Sequence, residues 1–151
     1  IKLCTMKQIL IVLLTLLMSG TAHAQTLVRK GSSSYGEVLW NWDGQYLRKG
    51  SSAYGQVIIN YDGTEIRQGS STYGEVLFNW DGRNFRQGRS AYGKVLYNWG
   101  GGYIRQGSSD YGTILYNFDG NLVRHGSSNY GSVFYNIEGK LPVAVLIFML
   151  E

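Results

Sequence analysis

The sequence predicts an all-β protein of tandem β-hairpins that form a curved antiparallel meander or a closed barrel. Three observations predict this fold: a strict 19-residue period, a strand-forming segment that ends in Asp-Gly in four copies, and connectors rich in glycine and serine. Each unit reads GSSxYGxVLxNWDGxxLRx, with Ile, Phe or Val also found in the apolar columns. Six copies follow one another without an insertion, so the repeat is the strongest signal in the chain.

The period is marked by four columns of identical residues. The glycines are Gly31, Gly50, Gly69, Gly88, Gly107 and Gly126, and the tyrosines are Tyr35, Tyr54, Tyr73, Tyr92, Tyr111 and Tyr130. The asparagines are Asn41, Asn60, Asn79, Asn98, Asn117 and Asn136, and the arginines are Arg29, Arg48, Arg67, Arg86, Arg105 and Arg124.

Within one unit, residues 37–42 are rich in β-branched and aromatic side chains and predict a strand. Asp43-Gly44 follows directly and predicts a two-residue type I′ turn, in which both residues have positive φ. Residues 45–49 then form the returning strand, and the GSSxYG segment connects one hairpin to the next.

This turn fixes a register and a buried face. Trp42 is expected to face Gln45, and Trp40 to face Leu47. Because side chains alternate along a strand, one face is expected to hold the core. That core face collects Val38, Trp40, Trp42 and Leu47, whereas the opposite, mixed face collects Leu39, Asn41, Tyr46 and Arg48.

A β-solenoid of stacked copies is the alternative architecture. It would place the six arginines one strand spacing apart, at ~4.8 Å, whereas a meander separates them by two strands, roughly 10 Å. The weaker charge repulsion and the Asp-Gly turns favour the meander. About twelve strands in one twisted sheet should curl or close.

The first 24 residues predict a secretory signal peptide. Residues 6–24 combine an early lysine, an apolar run from Ile9 to Met18 and the small-residue pattern Ala22-His23-Ala24. The apolar run is shorter than the ~20 residues of a transmembrane helix. We expect cleavage between Ala24 and Gln25, interpret residues 1–5 as upstream read-through, and expect a secreted or periplasmic protein without stable membrane insertion after cleavage.

The last twelve residues, 140–151, break the repeat, because Pro142 occupies the column that holds Leu47 and an apolar stretch follows. Terminal repeats have an uncovered apolar side, so this tail is expected to cap the last hairpin. Alternatively, residues 143–148 pair as a strand with an edge of another copy, giving a homo-oligomer. The predicted organisation is a signal peptide, a six-repeat β domain over 25–139 and an apolar cap.

Composition excludes several classes of function. Cleavage removes Lys2 and Lys7 and lowers the net charge from +4 to about +2, and without any run of basic residues we predict no nucleic-acid partner. The mature chain has no cysteine and one histidine, His125, at a position where other copies carry Lys or Gln. This variation indicates a surface position. We therefore predict no enzymatic activity, no metal and no cofactor.

A set of aspartates is interpreted as structural. They occupy the first turn position, where aspartate tolerates positive φ, so turn formation accounts for them. These residues are Asp43, Asp62, Asp81 and Asp119.

The pattern YGxVLxNWDGxxLRxGSS, at Tyr35 to Ser52, resembles secreted bacterial proteins that consist only of such short tandem repeats after a signal peptide. The resemblance covers residues 27–139 and implies localisation and architecture rather than an activity. The pattern is more distantly similar to MORN and choline-binding repeats, which are also glycine- and aromatic-rich hairpins. Their spacing and connectors differ, so no ligand site is carried over.

The arginine column has two interpretations. Each guanidinium bonds to the diagonal asparagine of its own face, as for Arg48 and Asn41, or the row presents donors to an anionic polymer. The candidate ligand-binding residues are Arg48, Arg67, Arg86, Arg105 and Arg124 with Asn41, Asn60, Asn79, Asn98 and Asn117.

The aromatic columns headed by Trp40 and Trp42 are predicted to be core, because Ile59 and Ile137 occupy them in other copies and isoleucine offers no stacking surface to a sugar. Tyr46 and Tyr103 are the better candidates for exposed contact.

Two function hypotheses follow. The first is an exported module that binds a polysaccharide or another envelope component through the arginine and asparagine face. The second is a structural or adhesive surface protein that self-associates through sheet edges or through the tail.

Overall fold

The computed structural model describes residues 24–151 as a closed antiparallel barrel with one helix. The predicted signal peptide lies outside the described residues, except for Ala24. The elements are β1 (Thr26–Lys30), β2 (Val38–Trp42), β3 (Tyr46–Lys49), β4 (Val57–Tyr61), β5 (Glu65–Gln68), β6 (Val76–Trp80), β7 (Asn84–Gln87), β8 (Val95–Gly100), β9 (Tyr103–Gln106), β10 (Ile114–Phe118), β11 (Leu122–His125), β12 (Val133–Glu138) and α1 (Val143–Leu150).

Neighbouring strands in the barrel are neighbours in sequence, except for β1 and β12, which close the ring. All neighbouring strands pair antiparallel. The predicted all-β fold of hairpin repeats is therefore confirmed, and the solenoid alternative is wrong. A solenoid would need parallel pairing between successive copies, whereas a short turn can join only antiparallel strands.

The predicted hairpin register is wrong by two residues. Trp42 pairs with Leu47 rather than Gln45, and Asn41 pairs with Arg48. The Asp43 carboxylate accepts hydrogen bonds from the backbone N–H groups of Gln45 at 2.9 Å and Tyr46 at 2.7 Å, which makes a longer, aspartate-capped loop. Among the described residues only glycines have positive φ, so the turn is not type I′. A shift of two residues keeps Trp42 and Leu47 on the core face. The bulge between β1 and β2 reverses the prediction for the start of β2, where Leu39 rather than Val38 packs against the core.

A repeated irregularity curls the sheet. Between hairpins the register slips by one residue, as where Leu47 pairs with Ile59 but Arg48 pairs with Val57. The same slip recurs at the other junctions between hairpins. A β-bulge of this kind bends and twists its strand, and its regular repetition closes the barrel.

The two ends of the β domain together complete the sixth hairpin. Strand β1 pairs with β12 so that Arg29 lies opposite Asn136, which is the register of Arg48 and Asn41 in the first hairpin. The N-terminal strand thus serves as the second strand of the last repeat. All six hairpins are equivalent, although the last has no covalent turn.

The C-terminal tail forms a helix inside the barrel, not a strand and not a cover over the last hairpin alone. Residues 144–147 are at most 1% exposed. The Phe148 ring lies 6.1 Å from that of Phe78 in β6, and the Tyr135 hydroxyl donates to the Met149 carbonyl oxygen at 3.4 Å. Burial raises the pKa of Tyr97 to about 12, and a hydrogen bond with Glu151 adds to the shift. A helix that is apolar on all sides must be buried, and the barrel interior buries it.

Over the described residues, no helix has the length and apolarity needed to cross a membrane.

Candidate binding surface

Each connector between hairpins is a compact, locked loop. In the connector after β3, the Gly55 N–H donates to the Ser52 carbonyl oxygen at 3.0 Å, and the Ser52 hydroxyl oxygen accepts from the Tyr54 N–H at 3.1 Å. Gly50 has a φ of +75°, which favours glycine. A Cβ at Gly55 would lie 2.7 Å from the Lys49 carbonyl oxygen. These contacts explain the two glycines and the second serine of the GSSxYG pattern.

The asparagine column holds the connectors against the barrel. Asn60 donates through Nδ2 to the carbonyl oxygens of Gly69 at 2.7 Å and Ser71 at 3.1 Å. The same pair of bonds is made by Asn41, Asn79, Asn98 and Asn117. All five asparagines are at most 7% exposed, so the amide that was a candidate ligand group serves the fold.

The position of these asparagines places the connectors on the outside of the barrel. Trp40 and Trp42 belong to the core or pack against it, so Asn41 between them points to the outer face. The connector that Asn41 binds must therefore lie over that outer face. Ion pairs support this placement, since Asp110 in one connector pairs with Arg83 of another hairpin.

The connector tyrosines form a girdle around the barrel. One tyrosine stands in each connector, and its side chain is almost fully in solvent, with exposed fractions between 96% and 100%. The tyrosine girdle consists of Tyr35, Tyr54, Tyr73, Tyr92, Tyr111 and Tyr130. Neighbouring members are two strands apart, roughly 10 Å at the sheet and more at its periphery. Six exposed aromatic rings in equivalent places are the main unexplained feature of the surface.

The arginine column is paired with the turn aspartates. Arg86 Nη1 lies 2.5 Å from Asp81 Oδ2, and Arg124 Nη1 lies 2.8 Å from Asp119 Oδ2. Arg48 and Arg67 pair in the same way with Asp43 and Asp62. The predicted bond between each arginine and its asparagine is therefore wrong, because the carboxylate is the stronger acceptor and lies five residues away on the same face.

The two remaining arginines follow variations in the turn column. Where Gly100 replaces the aspartate, Arg105 donates to its carbonyl oxygen at 3.0 Å. At the end of the last repeat, Arg29 pairs with Glu138 at 3.2 Å. Together with the four aspartate pairs, these contacts engage every member of the arginine column. Anion binding by the candidate residues Arg48 to Arg124 stays a prediction, and it requires each guanidinium to share or exchange its present partner.

The turn carboxylates are poised to stay ionised. Burial raises the pKa of Asp81, but hydrogen bonds from the Asn84 N–H, the Arg86 guanidinium and the Arg83 N–H outweigh it and hold the pKa well below its usual value. The pKa values of Asp43, Asp62 and Asp119 are lowered by equivalent partners against the same effect of burial. Pairing and turn capping thus reinforce each other.

A family model described as 6-fold beta flower protein matches residues 28–146. The chain belongs to this family. Membership confirms the prediction of a repeat-protein family, but it gives no support to the likeness with MORN or choline-binding repeats. The six equivalent hairpins are the six-fold element of this beta flower. A search of curated proteins and a search of solved structures each found no match to the chain.

The two tyrosines predicted to make exposed contacts are half-buried in the beta flower. The Arg48 guanidinium lies 5.2 Å from the ring centre of Tyr46, and that of Arg105 lies 5.3 Å from Tyr103. Sequence reasoning compared these two with the aromatic columns of Trp40 and Trp42 and did not consider the connector tyrosines. The missed signal is that each of these tyrosines lies in a connector rich in glycine and serine, outside the strands, and is followed directly by glycine.

The aromatic columns of Trp40 and Trp42 form the core as predicted, because Trp42, Ile59, Tyr135 and Ile137 are buried. In residues 24–151 no three His, Cys, Asp or Glu side chains are grouped as a metal site. Family and fold together point to a non-catalytic repeat protein with a structural or binding role.

Proposed function

We propose that this protein is an exported, non-enzymatic binding module that attaches to a glycan of the cell envelope through its tyrosine girdle. The observation that carries the proposal is the near-complete exposure of six tyrosines on locked connectors. Leaving a large aromatic side chain in water forgoes the free energy of its burial, and all six copies do so.

The chemistry of the connectors favours a sugar over a protein partner. Protein interfaces need a continuous apolar centre, whereas these rings stand on separate connectors, two strands apart, and share each connector with glycine and serine. An isolated tyrosine offers an apolar face to the C–H face of a sugar ring and a hydroxyl group for a hydrogen bond. The girdle supplies six such contacts, and the neighbouring serines add further hydroxyl groups.

The self-association hypothesis has less support. Strand β1 pairs with both β2 and β12, so the described barrel has no unpaired strand edge. The tail that was to mediate association has its residues 144–147 buried inside the barrel. Association by either route therefore requires the barrel to open.

A glycan array and pull-downs with purified envelope polysaccharides test the proposed function. Replacing all six girdle tyrosines with serine should abolish binding and leave the melting temperature almost unchanged, since the side chains touch little else. The Arg67→Gln, Arg86→Gln double variant is the matched control and should keep binding. Loss of binding only in the arginine variant would contradict the proposal and restore the anionic-polymer hypothesis.

Export rests on the signal-peptide pattern of residues 6–24 and is tested separately. The intact mass of protein from the periplasm or the medium should correspond to a chain that begins at Gln25. A mass that retains the apolar run from Ile9 to Met18 would contradict export by this route.

A further inference from the structure

The geometry of the girdle points to a more specific ligand, and this inference rests on the proposed function. We infer that the girdle binds a long, uncharged polysaccharide chain that runs along successive connectors, and that a sugar too short to reach two tyrosines is not retained.

The open surface around each girdle tyrosine sets a lower limit on the size of the ligand. Small-molecule sites are concave and bury most of the ligand surface. A girdle tyrosine such as Tyr54, which is 100% exposed, offers one open face without walls. A single sugar on such a face makes too few contacts to offset the entropy lost on binding. Affinity therefore depends on several tyrosines engaging one molecule.

The spacing of the six girdle tyrosines is fixed by their connectors. Each connector is closed by the turn hydrogen bond from glycine to serine and is tied to the barrel by its asparagine, so the six tyrosine positions are fixed. The hairpins share one register around the closed barrel, which makes the positions equivalent by rotation. A fixed spacing preorganises the surface, because no connector has to be ordered when the chain binds.

The positions of the connectors also determine the path that a bound polysaccharide takes. The connectors lie on the outer face, so opposite tyrosines have the whole barrel between them, whereas successive ones are separated by two strands. A bound chain reaches the next tyrosine with the highest effective concentration when the gap is shortest. The shortest gaps lie along the girdle, from one connector to its neighbour.

The net charge of the connector surface bears on the charge of the ligand. The six segments from the residue before each connector glycine to the residue after Tyr-Gly carry four cationic side chains and three carboxylates, and are therefore nearly neutral. These are Lys30, Lys49, Arg89 and Lys94 with Glu37, Glu75 and Asp110. The arginine column adds little free positive charge, since four of its members are paired with aspartates and Arg29 is paired with Glu138. Arg105, which donates to a neutral carbonyl oxygen, adds one positive charge. A neutral, hydroxyl-rich surface matches an uncharged chain.

Two triple variants with the same number of tyrosines test the path. Changing Tyr35, Tyr54 and Tyr73 to Ser leaves an unbroken arc of Tyr92, Tyr111 and Tyr130. Changing Tyr35, Tyr73 and Tyr111 to Ser leaves three tyrosines on alternate connectors. The probes are soluble, uncharged β-glucan and chitin oligosaccharides of graded length with their parent polymers, measured by calorimetry or affinity electrophoresis.

The inference expects the arc variant to bind the long polymers at least about tenfold more tightly than the alternating variant, because only the arc keeps the short gaps. Wild-type affinity should rise steeply once the oligosaccharide is long enough to span two connectors. It should change little between low and high salt, because no counterions are released from an uncharged chain. Unchanged melting temperatures establish that both variants are folded.

Equal binding by the two triple variants would overturn the inference, since the tyrosines would then act independently or on a flat surface. Equal affinity for disaccharides and polymers, or equal binding to zwitterionic lipid vesicles, would overturn it as well. Binding of charged envelope glycans that is lost in the six-serine variant would overturn the inference but leave the proposed function standing. Absence of any glycan binding by the wild-type protein would overturn both.

Discussion

The asparagine column predicts a specific pattern of stability. Changing Asn60 to Ala removes two hydrogen bonds from a side chain that is 2% exposed. The Gly69 carbonyl oxygen loses this donor, whereas the Ser71 carbonyl oxygen keeps only its bond from the Gly74 N–H. A neutral hydrogen bond contributes about 1 kcal/mol net, and a buried group left unsatisfied costs about 1 to 3 kcal/mol. The expected loss in the free energy of unfolding is therefore about 2 to 4 kcal/mol.

The chain contains its own control for this change. Asn136 occupies the same column but is only half-buried, and its amide makes one bond, to the Ser32 carbonyl oxygen at 3.1 Å. Water can replace the lost donor there, so Asn136→Ala should cost about 1 kcal/mol or less. Asn60→Asp keeps the shape but replaces the donor by a carboxylate that repels both carbonyl oxygens. It should cost at least as much as Asn60→Ala.

Urea unfolding at pH 7 measures these differences. With a denaturant dependence of about 2 kcal/mol per molar, the Asn60→Ala midpoint should fall by about 1 to 2 M. Hydrogen exchange should also become faster at the amides of Tyr73 and Gly74, because their connector loses its anchor. A loss below 1 kcal/mol for Asn60→Ala, or equal losses for Asn60→Ala and Asn136→Ala, would refute this account of the column.

Three further perturbations test the rest of the fold. The Arg67→Gln, Arg86→Gln variant should lose about 1 to 2 kcal/mol of unfolding free energy, because both guanidiniums are mostly buried while their aspartates are partly screened by water. The pKa values of the turn aspartates are lower in the folded than in the unfolded state, so these carboxylates stabilise the fold above the unfolded pKa and cease to do so as the pH falls through the folded pKa. Wild-type stability should therefore decline in acid, and it should decline less in this variant. Parallel pH profiles of stability for the two proteins would contradict the pairing. Deletion of one 19-residue unit, residues 69–87, should abolish the cooperative unfolding transition measured by circular dichroism, because ten strands would have to close around the same helix. A folded deletion variant would show that the barrel adapts its size. Leu146→Ala should lower the free energy of unfolding, measured thermally or in urea, by about 2 to 4 kcal/mol, and Leu146→Asp should prevent folding, since the side chain is fully buried. Normal stability of the aspartate variant would place the helix outside the core.

The repeat by itself determined the architecture. A fixed period with strand and turn signals in every copy leaves little choice except hairpins, and the spacing of the arginines favoured antiparallel pairing. The columns of Trp40 and Trp42 were assigned to the core because isoleucine replaces them in some copies. These inferences hold because they depend on side-chain alternation and on local turn chemistry, which are properties of the sequence.

The local register was harder to predict. Asp-Gly is the signature of a type I′ turn, but here the Asp43 carboxylate accepts two backbone hydrogen bonds and enlarges the loop by two residues. The same carboxylate then binds Arg48, which removes that arginine from the asparagine assigned to it. A single side chain thus changed both the turn and the partner of a candidate binding residue. Asp-Gly is compatible both with a type I′ turn and with a loop capped by the aspartate, so sequence alone could not rank the two.

The surroundings of the candidate site were decided only in three dimensions. The sequence shows Tyr54 and Asn60 in separate columns of a repeat, but only the closed barrel places the connectors on the outer face, with asparagine amides beneath them and tyrosines in solvent. The tail was likewise recognised as apolar, yet its helix inside the barrel depends on a cavity that exists only after β1 has paired with β12. The sequence determined the hairpin, because a hairpin is made by neighbouring residues. Ring closure decided what is buried and what is presented, because it joins residues more than a hundred positions apart.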